Sequence, residues 1–178
     1  TWGNDPDGST VMLCGTYEVD GAVSDRLLAA LPRHLLVDAA GADQRLVDLL
    51  AEEVTRDGPG QQVMLDRLLD LLLVSTLRQW FTECADEAPG WFRAAADPVV
   101  GPAVRLLHDE PARSWTVASL AAEVGASRAA FARRFAEVMG EPPMAYLTSW
   151  RLALAADLLL EPGATVGSVA RRVGYASP

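Results

Sequence analysis

Val117–Gly125 (VASLAAEVG) and Val166–Gly174 (VGSVARRVG) are two copies of one pattern, placed 49 residues apart. Val, Ser, Ala, Val and Gly recur at matching positions, and each copy follows a threonine, Thr116 or Thr165, which is a favoured helix N-cap. The closing glycine stands where a tight turn between two helices requires a positive φ, which glycine adopts at little cost. The pattern predicts two helix-turn-helix units.

The segment that follows the first copy, Ser127–Phe135 (SRAAFARRF), completes that unit as a second helix. Ser127 can cap this helix, and Phe131 and Phe135, four residues apart, face the interior. The opposite face then carries four residues at a spacing that suits the major groove of DNA: Arg128, Ala129, Ala132 and Arg133.

A connecting helix is predicted between the two copies, over Pro143–Leu160, with Pro143 in its first turn. At about 1.5 Å per residue it is roughly 27 Å long, close to the roughly 34 Å of one DNA turn. It can therefore hold two recognition helices in successive major-groove segments; a helical bundle with coincidental repeats is the alternative. Its predicted buried stripe consists of apolar and aromatic residues: Tyr146, Leu147, Trp150, Leu154, Leu158 and Leu159.

The charge of the chain is unevenly distributed, although its net value of -9 would by itself argue against a nucleic-acid partner. All 15 cations are arginine; residues 1–97 hold 7 of them against 17 acidic residues, and residues 98–178 hold 8 against 7. Only the second part, at +1, can meet phosphates. A charge of +1 predicts modest affinity for each module, so partner subunits are expected to contribute.

The first 40 residues resemble the end of a β-domain in their pattern. Thr10–Val19 (TVMLCGTYEV) and His34–Val37 are predicted strands, and Ser24–Leu31 is a predicted helix with Ser24 as N-cap and Pro32 as its stop. Because one or two strands do not make a stable sheet, the earlier strands are expected to precede this sequence.

Two helices are predicted next, over Ala42–Arg56 and Gln61–Ala85. The second is apolar nearly all round and must be covered all round. Its cover is either a second subunit, which we favour, or the adjoining modules. The predicted dimerisation residues are leucines: Leu65, Leu68, Leu69, Leu72 and Leu73. Ala88–Asp97 is predicted to be a hinge at the domain boundary, anchored by Trp91 and Phe92.

No catalytic or metal-binding pattern is found among the residues that carry such chemistry: Cys14, Cys84, His34 and His108. The cysteines are interpreted as two reduced, packed thiols, and an oxidant-sensing or metal role for Cys14 is the alternative. No stretch has the length of a membrane span or the form of a leader, so we expect a soluble, cytoplasmic protein. Because no catalytic or metal-binding pattern is found, we expect a protein that is not an enzyme and has no cofactor.

Gly140–Leu159 (GEPPMAYLTSWRLALAADLL) and Val166–Ser177 (VGSVARRVGYAS) resemble the AraC family of transcription activators; with the first copy, the likeness covers about 80 residues. Leu13–Pro32 is similar to the last part of the cupin-type effector domain of one branch of that family. The resemblance implies a mainly α chain: the tail of a β (cupin-like) domain at 1–40, a helical linker and dimerisation region at 41–90, and a double helix-turn-helix domain at 91–178.

The resemblance also implies partners and roles: double-stranded promoter DNA, a second copy of the chain, RNA polymerase, and a small-molecule or redox effector. Arg128, Ala129, Ala132 and Arg133 match the first recognition helix, with Arg133 as the best candidate for a guanine contact. The two alanines depart from the larger polar residues common there and can only contact a thymine methyl. Phosphate contacts are expected from Thr116, Ser127 and Arg134.

In the family the second recognition helix begins near Ser177 and continues for about a dozen residues, whereas this sequence ends at Pro178. The second module is therefore expected to be truncated, with Ser177 as its only DNA-binding position. Arg151 is expected to pair with an acid and hold the subdomains together. Two other functions stay open: a regulator-like domain appended to an enzyme, for which Cys84 would be a poor nucleophile, and an interaction module that does not bind DNA.

Overall fold

The computed structural model describes residues 12, 14–18, 20–38, 43–85 and 88–176. It divides into two compact units, formed by residues 1–18 with 36–80 and by residues 19–35 with 81–178. Within the described ranges the regular structure is helical: α1 Ala22–Ala29, α2 Gln44–Thr55, α3 Gln61–Glu83, α4 Gly90–Ala96, α5 Val100–Asp109, α6 Val117–Glu123, α7 Arg128–Met139, α8 Pro143–Leu159 and α9 Val166–Arg172.

The predicted strands are not observed in the described residues. His34–Val37 is irregular, so that prediction is wrong, and residues 14–18 of the other predicted strand are also irregular. Thr10, Val11, Leu13 and Val19 lie outside the described residues. An extended segment becomes a stable strand only when neighbouring strands pair with it, and none of the described segments does so here.

Helix α1 forms as predicted, but Ser24 is not its N-cap. The helix begins at Ala22, with Gly21 as N-cap at φ 103°. The carboxylate of Asp157, from α8, accepts hydrogen bonds from the amides of Ala22 and Val23 at 2.5 and 3.2 Å. A residue distant in sequence therefore satisfies the free amides of the first turn. The sequence predicts this role for the nearby Ser24 side chain.

Helices α2 and α3 confirm the two predicted helices to within two residues at each end. The turn between them is held by the Gln61 side-chain amide, which donates to the Glu53 carbonyl at 3.0 Å. In the same compact unit the Tyr17 hydroxyl donates to the Leu69 carbonyl. Gly15 also lies against Leu69, because a Cβ at Gly15 would be 2.6 Å from the leucine Cδ2.

The core of the compact unit formed by residues 19–35 and 81–178 is built on α5, α6, α7 and α8. Phe131 and Phe135 are fully buried, which confirms the predicted inner face of α7. Their rings are 5.7 Å apart, and the ring of Phe135 is 5.9 Å from that of Tyr146 on α8. Leu107 of α5 and Leu120 of α6 are also fully buried in this cluster. The core thus fixes α7 to its neighbours along its whole apolar face.

The prediction of a hinge at Ala88–Asp97 is wrong, because this stretch contains helix α4, which packs on α5 and α7. Small residues permit close packing there: a Cβ at Gly90 would be 2.9 Å from the Cα of Met139, and Ala94 is buried. The predicted anchors are confirmed, since Trp91 and Phe92 lie 5.5 and 4.4 Å from the ring of Phe81.

Helix α8 is one residue shorter than predicted, and its 17 residues span about 26 Å at the usual rise. Tyr146 and Leu147 are buried as predicted, and Trp150, Leu154 and Leu158 are half-buried. Leu159 is exposed, so its place in the buried stripe is wrong. The reason is that α8 is apolar on nearly every face, and periodicity does not then single out one stripe.

Candidate nucleic-acid interface

The first helix-turn-helix unit, α6 and α7, is capped as its sequence predicts. The Thr116 hydroxyl accepts from the Ser119 amide at 3.0 Å, and the Ser119 side chain accepts in return from the Thr116 amide at 2.9 Å. The Ser127 hydroxyl accepts from the Ala130 amide at 3.3 Å. Gly125 makes the turn with φ 68°, which only glycine adopts without strain. These caps fix the starts of α6 and α7.

The outward face of α7 holds the predicted contact residues. Arg128, Ala129 and Arg133 are exposed, and Ala132 is half-buried. Burial of the opposite face through Phe131 and Phe135 determines this orientation. The structure therefore brings these four positions together on one accessible surface.

Two arginines on this face are available for an external partner. The Arg133 side chain is 75% exposed, and its nearest carboxylate oxygen, on Glu137, is 3.8 Å from Nε. Arg128 is exposed and has no ion pair within the part of the chain that the structure describes. A pair this long and this exposed contributes little, so neither guanidinium is committed to the protein itself.

The guanidinium of Arg134 is held in an ion pair within the protein, and this pair was not predicted from the sequence. Its Nε and one terminal nitrogen lie 2.8 and 2.7 Å from Oδ2 of Asp97, whose side chain is only 5% exposed. Oδ1 of the same carboxylate accepts from the amides of Val99 and Val100 at 2.9 and 2.8 Å, at the start of α5. Asp97 thus joins the start of α5 to α7.

The protonation of Asp97 reflects the same contacts. Burial by itself acts to raise the pKa of this carboxyl. The hydrogen bonds from the Val100 and Val99 amides and the charge and hydrogen bond of Arg134 outweigh burial, so the pKa lies below its ordinary value. Asp97 is therefore ionised at neutral pH and keeps the pair intact.

The second helix-turn-helix unit begins in the same way as the first. Thr165 and Ser168 form the same reciprocal cap at the start of α9, and Gly174 makes the turn with φ 93°. Val169 and Val173 are buried, as predicted for its inward face. Ser177 lies outside the described residues, and its DNA contact stays a prediction.

Arg151 joins the two modules, as expected, but its partner is not an acid. Its Nε donates to the Pro111 carbonyl at 2.7 Å and a terminal nitrogen donates to the Arg113 carbonyl at 2.9 Å. The guanidinium also lies 5.5 Å from the ring centre of Tyr175. Gly174 is needed beside it, because a Cβ there would be 2.8 Å from the Cα of Ala112. Carbonyls of a loop carry no signal in the sequence, which is why this partner was missed.

The predicted dimerisation residues differ in exposure. Leu68 is buried, Leu65, Leu69 and Leu72 are half-buried, and Leu73 is exposed. Leu69 and Leu72 also line a cavity inside their own compact unit. The dimer stays a prediction, and four further apolar residues of α3 are exposed beside Leu73: Val63, Met64, Leu71 and Val74.

Among the described residues, the two cysteines form neither a disulfide nor part of a metal-binding cluster. Cys14 is exposed, so its interpretation as a packed thiol is wrong, while Cys84 is half-buried; both thiols are free. The described residues contain no group of three His, Cys, Asp or Glu side chains that could hold a metal ion. None of the described helices is both long and apolar enough to cross a membrane.

Comparison with known proteins places this geometry in a family. Residues 1–82 match the family model described as cupin, and residues 120–178 match the one described as helix-turn-helix domain. A putative AraC-like transcription regulator of Streptomyces lividans is 36% identical over 170 residues, which are 93% of this chain and 56% of that protein. The chain belongs to the AraC family of transcription regulators.

Two further relatives of this AraC-family chain are also named as transcription regulators. A putative AraC-like transcription regulator of Streptomyces antibioticus is 34% identical over 93% of this chain and 56% of its own length. The HTH-type transcriptional regulator AlkR of Acinetobacter baylyi is 32% identical over 89% of this chain and 54% of its own. The chain spans about half the length of these curated relatives, and no solved structure matches it significantly.

Proposed function

We propose that this AraC-family chain is the part of a regulator that recognises double-stranded promoter DNA by inserting α7 into the major groove. The observation that carries the proposal is the outward face of α7. Two uncommitted arginines, Arg128 and Arg133, lie there on a helix whose other face is fixed by a buried core. A rigid, capped helix with exposed arginines has the properties of a recognition helix.

Each residue of this face has a proposed role. Arg133 donates in a bidentate manner to guanine, and Ala129 and Ala132 contact thymine methyl groups. Arg128 and the caps Thr116 and Ser127 face phosphates. Arg134 acts mainly as a positioning residue, because its guanidinium is held by Asp97, although its exposed edge can still reach a phosphate.

Replacing Arg133 with alanine tests the base contact. We expect Arg133→Ala to weaken specific binding by the full-length protein by about 1–3 kcal/mol and to relax the preference at one base position, since a bidentate guanine contact is lost. Selection of binding sites from randomised DNA measures both effects. Arg45→Ala, an exposed arginine on α2, is the control and should leave the selected sequence unchanged. An unaltered preference in Arg133→Ala would refute the base contact.

We further propose that the regulator is a homodimer that pairs through α3. Support comes from the exposed apolar residues of this helix, of which Leu71 is 55% and Val74 is 52% exposed. The weak positive charge of residues 98–178 gives a second reason, because two copies would double the number of phosphate contacts. The leucines predicted from the sequence belong to the same helix, and Leu73 is the exposed one among them: Leu65, Leu68, Leu69, Leu72 and Leu73.

Replacing Leu71 with aspartate is expected to convert the dimer into a monomer, because an unpaired carboxylate is costly in a dry interface. Gln62→Asp, a polar exposed position on the same helix, is the control and should stay dimeric. Light scattering on the full-length protein gives the mass of each variant, and circular dichroism shows that each is folded. A dimer that persists in Leu71→Asp places the interface elsewhere.

The remaining proposals concern the whole protein. The cupin match over residues 1–82 supports an effector-responsive regulator whose ligand is a small molecule or an oxidant. We also propose that the whole protein is cytoplasmic and contacts RNA polymerase when bound at a promoter.

A further inference from the structure

Helices α1, α4, α5 and α8 surround a small pocket within one compact unit of the chain. Its volume is about 170 Å³, and four of its seven lining residues carry flat rings. The lining is almost entirely apolar and comprises Val23, Arg26, Leu27, Trp91, His108, Tyr146 and Trp150. Tyr146 also belongs to the core cluster, whereas the other three rings, of Trp91, His108 and Trp150, do not.

The rings of this pocket hold one another in place. His108 stacks on Trp150 with ring centres 4.1 Å apart, and its Nε2 lies 2.7 Å from the Tyr146 hydroxyl. Burial, with help from the charge of Arg26 and against that of Asp109, lowers the pKa of His108, so its ring is neutral at neutral pH. Burial likewise raises the pKa of the Tyr146 hydroxyl. The His108 and Tyr146 rings of the wall are therefore uncharged and held in a fixed arrangement.

Arg26, on α1, is the one charged side chain among the lining residues. Its guanidinium lies 4.9 Å from the ring centre of Tyr146 and 3.5 Å from Oε1 of Glu141. Both side chains of this ion pair are about one third exposed, at 32% and 35%. Since a long, partly exposed pair contributes little, an anion in the pocket can displace Glu141, which returns to water.

The volume of the pocket is sufficient for a single ring. An apolar cavity of about 150 Å³ in a protein holds one benzene molecule. The four aromatic side chains in the lining favour a flat ring over an aliphatic chain of the same volume. One guanidinium favours a carboxylate, which it can bind through two parallel hydrogen bonds.

We propose that this pocket binds a single-ring aromatic carboxylate, with the ring against His108 and Trp150 and the carboxylate on Arg26. Such a ligand would touch α1 on one side and α4, α5 and α8 on the other. It would therefore strengthen the attachment of α1, a segment within the cupin match, to the helix that connects the two DNA-binding modules. The proposal does not depend on DNA binding.

Titration of the whole chain with benzoate tests the site. We expect saturable binding by calorimetry together with a change in tryptophan fluorescence, because Trp91 and Trp150 line the pocket. Benzamide has the same shape without the charge and should bind about tenfold more weakly, as expected for the loss of a charge-assisted pair. No saturable binding of benzoate, or equal binding of benzamide, would overturn the proposal. So would tighter binding of benzylamine, since Glu141 would then be the recognising group.

Two variants locate the site. Arg26→Gln should lower benzoate affinity about tenfold and remove the preference over benzamide, whereas Arg33→Gln, an exposed arginine outside the pocket, should change neither. Leu27→Phe fills the pocket without touching the charge and should abolish binding of both compounds. Circular dichroism confirms that each variant is folded. Unchanged benzoate binding in folded Arg26→Gln or in folded Leu27→Phe contradicts the assignment.

Discussion

Replacing Asp97 with alanine is expected to lower the free energy of unfolding by about 2–4 kcal/mol at pH 7, because two amides at the start of α5 lose a charged acceptor. The carboxylate is nearly buried and accepts from Val99, Val100 and Arg134 at once. The freed guanidinium of Arg134 is half-exposed and regains water, which keeps the loss below that of a fully buried pair. Urea denaturation measures the difference.

The pH dependence gives this prediction a second readout. The folded pKa of Asp97 lies below its ordinary value, so its contribution is fully present above the unfolded pKa of about 3.9 and is lost as the pH falls through the folded pKa. The gap in stability between the wild type and Asp97→Asn should therefore narrow from pH 5 to the acid limit. Asp57→Ala, an exposed carboxylate, is the control. A gap that is constant with pH, or no loss in Asp97→Ala, contradicts the assigned role.

Replacing Phe135 with alanine should destabilise the compact unit that contains α7 by about 3–5 kcal/mol, because removal of a fully buried aromatic side chain leaves a cavity. Phe135 contacts Phe131 on its own helix and Tyr146 on α8, so its loss also loosens the attachment of α7. We expect DNA affinity of the full-length protein to fall with stability. Leu160→Ala removes a side chain that is 77% exposed and should change stability by less than about 0.5 kcal/mol. Equal effects of the two substitutions in thermal denaturation would contradict the assigned core.

The features that sequence reasoning predicted well are those with local causes. The caps at Thr116, Thr165 and Ser127 and the positive-φ turn glycines depend on residues within a few positions of one another. The inner face of α7 follows from two phenylalanines at helical spacing. Such signals are complete within a short segment, so the caps and the turn glycines of the helix-turn-helix units could be predicted to the residue.

The features that were missed depend on partners far along the chain. Asp157 caps α1 from α8, and Asp97 holds Arg134 from the segment before α5. Arg151 binds carbonyls, which every residue possesses. The segment predicted to be a hinge is helix α4. Its glycine, Gly90, allows close packing against Met139 and does not mark flexibility. None of these contacts leaves a pattern that spacing alone reveals.

The central claim is that α7 of this AraC-family regulator reads DNA, and a salt titration of binding by the full-length protein tests it most directly. Affinity for a selected promoter site and for a scrambled duplex is measured between low and physiological salt. The account predicts tighter binding to the selected site at every salt concentration. It also predicts a log–log slope of about -3 or steeper, since each neutralised phosphate contributes about -0.9. No binding to any duplex at low salt, including the DNA upstream of its own gene, would contradict it.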